Sequence, residues 1–122
     1  MGPVNWKAVI WAGIAAVTVL SLAFRGTPKG FRAGWMGQLG ITLNWIPATM
    51  LGHALARIGP EKLAAKPWLY FMQSIGLALA IVIPAIWLSH VRLEIPRCET
   101  VRESIAFFLA YFAMGAVFWA MG

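Results

Sequence analysis

The sequence predicts an all-α, polytopic membrane protein, a single transmembrane domain of four helical spans over residues 1–122. Hydrophobic residues make up 61% of the chain and charged residues only 11%, whereas about 25% of the residues in a soluble domain are charged. A span needs about 20 apolar residues. Four spans and their turns therefore use nearly all of the 122 residues and leave no room for a soluble catalytic domain.

Three apolar runs predict three of these spans, at about residues 4–24, 68–90 and 104–121. The only charge inside them is Lys7, close enough to an end to reach the headgroups. The connecting segments carry Gly, Pro and charged residues, which favour turns at a membrane surface. We expect all four acids to lie in these loops: Glu61, Glu94, Glu99 and Glu103.

The second span is predicted over about residues 34–56, which carry no formal charge but are unusually polar. Pro47 removes a backbone donor, so the sequence predicts a kinked helix whose freed carbonyl is satisfied within a bundle. A re-entrant loop is the alternative for this segment.

The polar side chains of the second span fall on one face of a helix. At about 100° per residue they lie within about 60° of one another, and they are Gln38, Thr42, Thr49 and His53. The adjoining sector is apolar and compatible with lipid, and it holds Leu39, Leu43, Ile46 and Met50. Because lipid penalises polar groups, the polar face is expected to meet protein, a cofactor or a water-filled cleft.

Small residues at helical spacing predict packing faces on the first and fourth spans. The first face holds Ala8, Ala12, Ala15, Val19 and Ala23, and the second holds Ala106, Ala110, Ala113, Val117 and Ala120. Gly37 and Gly40 would allow a close helix contact on the second span. On the other side of the fourth span we expect aromatic side chains to face lipid, a partner helix or a pigment: Phe107, Phe108, Tyr111, Phe118 and Trp119.

His53 and His90 are the only imidazoles, and neutral imidazole is a ligand for the metal of haem or chlorophyll. His53 is the candidate metal ligand because it lies on the polar face, although a packing histidine bonded to Thr49 would show the same pattern. His90 adjoins Arg92 and is expected at a membrane interface.

We find no set of residues for nucleophilic or acid–base catalysis, so the chain is not expected to be an enzyme.

These observations favour a non-catalytic accessory subunit of a larger membrane complex, in contact with other membrane subunits and lipids. An energy-transducing assembly, respiratory or photosynthetic, in a bacterial inner membrane is the expected setting. The alternative is a membrane anchor that binds haem, a chlorophyll-type pigment, a carotenoid or a quinone through His53, Gln38, Thr42 and Thr49. A small oligomeric transporter is the third hypothesis.

The charges lie between the apolar runs rather than on one basic face, so no nucleic acid partner is expected.

Basic residues orient the four predicted spans only weakly. One side would hold Lys7, Arg57, Lys62 and Lys66, and the other would hold Arg25, Lys29, Arg32, Arg92, Arg97 and Arg102. The positive-inside rule then places both termini outside.

The ends of the chain are similar to a known family. The opening segment Val4–Ile10, the glycine-rich turn ending at Gly34-Trp35-Met36 and the closing segment Tyr111–Val117 resemble uncharacterised four-helix bacterial membrane proteins. The resemblance implies four spans and no particular activity.

Overall fold

A computed structural model of the chain describes residues 4–23, 39 and 42–121. Every element within these residues is a helix, and we number the helices in chain order. They are α1 (Trp6–Ala23), α2 (Trp45–Ile58), α3 (Pro60–Ala65), α4 (Trp68–Arg92) and α5 (Arg97–Met121). The predicted residues Gly37, Gln38 and Gly40 lie outside the described part of the chain.

Three of the helices, α1, α4 and α5, are long and apolar enough to cross a membrane. They match the predicted first, third and fourth spans, as expected of an integral membrane protein. Helix α2 has 14 residues, fewer than the roughly 20 that a full span needs. Among the described residues, no helix long enough to cross a membrane therefore corresponds to the predicted second span.

The helices alternate in direction. Asn5 donates from Nδ2 to the carbonyl oxygen of Met121 at 3.1 Å, so α1 begins where α5 ends. Its Oδ1 also accepts from the backbone N–H of Ala8 at 3.2 Å, which caps the first turn of α1. Because α4 and α5 are joined by the short turn at 93–96, they are antiparallel. Helices α1 and α4 consequently run in the same direction.

Helix α2 runs antiparallel to α1 and packs on its first half. The indole of Trp45, at the start of α2, lies against Gly13 in the middle of α1. The ring of His53, near the end of α2, lies 5.6 Å from the ring of Trp6 at the start of α1. Gly59 then ends α2 in a conformation with φ of +94°, which favours glycine.

Helix α5 lies between α1 and α4, and alanine rows line this core. Ala8, Ala12, Ala106 and Ala110 are buried as predicted. Ala113 is only half-buried. The remaining predicted positions of both faces are half-buried or exposed. In α1 the buried row instead continues in steps of four residues to Ala16 and Leu20. In α5 it continues in the same steps to Met114 and Phe118. The small residues thus pack helices of this chain together.

The aromatic side of α5 is more buried than the sequence suggests. Tyr111 and Phe118 are only 4% and 3% exposed. Phe107 and Phe108 are half-buried and Trp119 is exposed. Of the alternatives lipid, partner helix and pigment, Tyr111 and Phe118 meet helices of this chain itself, because α5 is covered on two sides, by α1 and by α4.

The two prolines inside the apolar segments act differently. Pro47 is the third residue of α2, which begins at Trp45, and the first four N–H groups of a helix have no helical partner. Helical residues also precede α2, at Leu39 and Thr42, and a turn at Leu43 and Asn44 separates them from it. The helical path thus breaks two residues before Pro47. A second break falls in α4, where a π-helical turn at Ala78–Val82 precedes Pro84.

Candidate functional site

Helix α2 presents one face to the bundle and the opposite face outwards. Its buried residues are Ala48, Leu51, Gly52 and Leu55. The predicted apolar sector lies outwards, with Leu39, Leu43, Ile46 and Met50 all exposed. The sector that the sequence assigns to lipid therefore lies on the outer surface of the described helices.

The predicted polar face lies beside that apolar sector and also points away from the chain's own core. Thr42 and His53 are exposed and Thr49 is half-buried. The structure therefore brings Thr49 and His53 together on one surface of α2. The Trp6 ring of α1 contacts the His53 ring there, and His53 is still exposed. Any protein or cofactor that covers the remaining exposed part must come from outside these residues.

The imidazole of His53 is held in one orientation by its own helix. Nδ1 lies 2.8 Å from the carbonyl oxygen of Thr49. Because a carbonyl oxygen only accepts, Nδ1 carries the hydrogen, and in the neutral ring Nε2 is left with its lone pair. Thr49 itself donates from Oγ1 to the carbonyl oxygen of Trp45 at 2.9 Å. The Trp6 indole meets the His53 ring nearly edge-on, with an interplanar angle of 82°.

A second polar cluster, at the turn between α4 and α5, is not predicted by the sequence patterns. His90 contacts the carboxylate of Glu103 through Nε2, and its Nδ1 lies 2.8 Å from Oγ1 of Thr100. Nearby, Trp87 donates from Nε1 to Oγ of Ser104 at 3.0 Å, and Ser104 donates to the carbonyl oxygen of Thr100 at 2.8 Å. Five side chains thus join the ends of two antiparallel helices.

The sequence patterns do not reveal this cluster, because they place Glu103 in a loop. Helix α5 already begins at Arg97, so Glu99 and Glu103 are helical and Glu103 faces α4. The usable signal is the turn at 93–96, because residues about equally distant from a helical hairpin turn face each other. His90 and Thr100 are such a pair, and Glu103 lies about one helical turn beyond Thr100 on α5.

Glu103, His90 and Thr100 follow one another as acid, imidazole and hydroxyl, which is also the sequence of groups in a nucleophilic triad. However, Thr100 is only 3% exposed, so its hydroxyl has no access to a substrate. Ser104 is also buried, and its hydroxyl is engaged with the backbone. We interpret the cluster as a polar clamp between α4 and α5.

The part of the chain that the structure describes shows no site where several protein side chains could bind a metal ion together. There, no group of three or more His, Cys, Asp or Glu side chains is placed to hold an ion. Cys98 is exposed and has no disulfide partner. A metal held by one imidazole inside an organic cofactor is a different case, because it needs no such group.

Comparisons of the chain with protein families, with curated proteins and with solved structures give no match. The resemblance of its two ends to four-helix bacterial membrane proteins therefore stays a prediction.

Proposed function

We propose that this chain is a non-catalytic accessory subunit of a larger membrane protein complex, and that α4 is the helix that contacts the partner subunit. The setting we propose is an energy-transducing complex, respiratory or photosynthetic, of a bacterial inner membrane, because such complexes contain many small helical subunits. The observation that carries this proposal is the exposed break in α4 at Pro84.

Pro84 lacks an N–H, so at least one carbonyl in the preceding turn has no helical donor. The π-helical turn changes which backbone groups are hydrogen-bonded, since the N–H of Ile83 bonds to the carbonyl oxygen of Ala78. It does not supply the N–H donor that Pro84 lacks. Pro84 and the preceding Ala80 and Ile81 are all exposed. A backbone group without a partner is costly in lipid and is tolerated where protein covers it.

The same side of α4 has the shape that a partner helix needs. Gly76, Ala80 and Pro84 follow one another at intervals of four residues, and all three are exposed. A Cβ built on Gly76 would meet nothing within 4 Å. Small residues at this spacing let a second helix approach closely. The outward face of α4 therefore offers both close approach and an acceptor for a donor on the partner.

Ala80→Leu tests this surface. A leucine there should push the partner helix away and reduce co-purification of the complex from native membranes in mild detergent. Ala85→Leu is the matched control, because Ala85 is an exposed alanine on another side of the same helix. If the two variants retain the same set of partners, or if the wild-type chain purifies alone, α4 is not the contact and the proposal fails.

The directions of the helices also support four crossings, with residues 24–67 returning across the membrane. Helices α1 and α4 run the same way, so the chain must come back between them. Helix α2 runs in the required direction along the first half of α1.

Cysteine labelling tests the number of crossings, in a background with Cys98→Ser. Arg25, two residues beyond the end of α1, and Lys62, in α3, are the informative positions. Four crossings predict that Arg25→Cys and Lys62→Cys react with a membrane-impermeant thiol reagent from opposite sides. Labelling of both from one side would leave three crossings and a second segment that does not span.

A further inference from the structure

We propose that the outward face of α2 binds a metallotetrapyrrole that carries carboxylate groups, a haem b-type molecule, with His53 as its axial ligand through Nε2 and Arg57 on its carboxylates. This inference does not depend on the contact surface proposed for α4.

The first support is the state of the His53 ring. In the neutral ring, the hydrogen bond from Nδ1 to the carbonyl of Thr49, 2.8 Å long, selects the tautomer in which Nε2 carries the lone pair. Histidine ligands of metals characteristically donate their other ring nitrogen in this way, which orients the ring and raises its basicity. His53 is exposed, so a planar molecule can approach it from outside the bundle.

The second support is the arrangement of charge and apolar surface around His53. Counted from His53 at about 100° per residue, Arg57 falls at about 40°, Met50 at about 60° and Ile46 at about 20°. All three are exposed. At about 1.5 Å per residue, Arg57 lies about 6 Å from His53 towards one end of the helix, and Ile46 lies about 10 Å in the other direction.

This order matches a haem-type molecule, which has anionic carboxylates on one edge and an apolar opposite edge. Arg57 is in the last turn of α2, next to Gly59 where the helix ends, and suits carboxylates at a membrane surface. Met50 and Ile46 are 61% and 57% exposed and supply the apolar surface for the macrocycle. A carotenoid or a quinone would use neither the imidazole lone pair nor the arginine in this combination.

The number of axial ligands follows from the fold. His90 is at the turn joining α4 and α5, whereas His53 lies beside Trp6 at the opposite end of the bundle. The two imidazoles therefore cannot share one metal within a chain. We expect one haem per chain with a single histidine ligand, and carbon monoxide should bind to its ferrous iron.

Titration of the detergent-purified full chain with ferric haem b tests the site. The wild type should bind one equivalent and show the absorption spectrum of histidine-ligated haem. Loss of a group that only supports a metal ligand costs about 10- to 100-fold in affinity, so we expect His53→Ala to cost roughly 100-fold or more. His90→Ala is the control and should bind as the wild type does, provided that circular dichroism shows it folded.

Haem dimethyl ester, which lacks free carboxylates, separates the role of Arg57 from that of His53. The wild type should prefer haem b to the ester, and Arg57→Gln should remove that preference while keeping the histidine-ligated spectrum. The proposal is overturned if the wild type binds no haem or if His53→Ala binds as tightly as the wild type. Equal loss in both histidine variants would show adventitious binding only, which also overturns it.

Discussion

Gly115→Val is expected to lower the free energy of unfolding by roughly 3 kcal/mol, the upper end of the cost of overpacking a core. At Gly115, α5 lies in close contact with α4. A Cβ at this position would collide with Oγ of Ser74, lie 3.0 Å from its Cβ and lie 3.3 Å from the carbonyl oxygen of Tyr70. A hydroxyl can rotate away, but the backbone of α4 cannot move without separating the helices. Unfolding in mixed micelles of increasing SDS content measures the change.

Gly76→Val is the matched control for this experiment. Gly76 lies in α4, but a Cβ there would meet nothing within 4 Å. Its replacement should change the unfolding free energy by no more than about 0.5 kcal/mol, as is usual at a surface. If the two valine variants unfold alike, the close contact between α4 and α5 is wrong.

The sequence is sufficient to predict the features that depend on composition and on helical period. Long apolar runs identify α1, α4 and α5, because length and hydropathy decide whether a helix can cross a membrane. The period of 3.6 residues also identifies the exposed side of α2, including Ile46 and Met50.

The sequence does not predict those features of the fold that depend on which helices lie next to each other. Tyr111 and Phe118 are aromatic and therefore suit a lipid-facing surface, yet α5 is the central helix and both are buried. The pairing of His90 with Glu103 joins two helices, so no pattern within one helix reveals it. Periodicity places His53 on a polar face, but it does not say that this face points away from the bundle.

Gly13→Ala is expected to destabilise the chain by roughly 2 kcal/mol, because a methyl group there would overlap the indole of Trp45. The effect should be local to the contact between α1 and α2. Gly13 is buried and Trp45 is half-buried at the first turn of α2, so the indole must move or α2 must shift along α1. The alanine has better helix propensity than glycine, by about 1 kcal/mol, so an observed loss of stability understates the collision.

A double-mutant cycle with Trp45→Ala identifies the cause. Trp45→Ala alone loses buried apolar surface and should also destabilise the chain, by about 2 kcal/mol for a half-buried ring. In the double variant, however, the added methyl group fills space that the indole has left. The two changes should therefore cost less together than the sum of the separate costs, with a coupling of about 1 to 3 kcal/mol as expected for residues in contact. SDS unfolding of the four proteins gives this coupling directly. Additive costs would mean that Trp45 does not rest on Gly13, and the packing of α2 along the first half of α1 would then need revision.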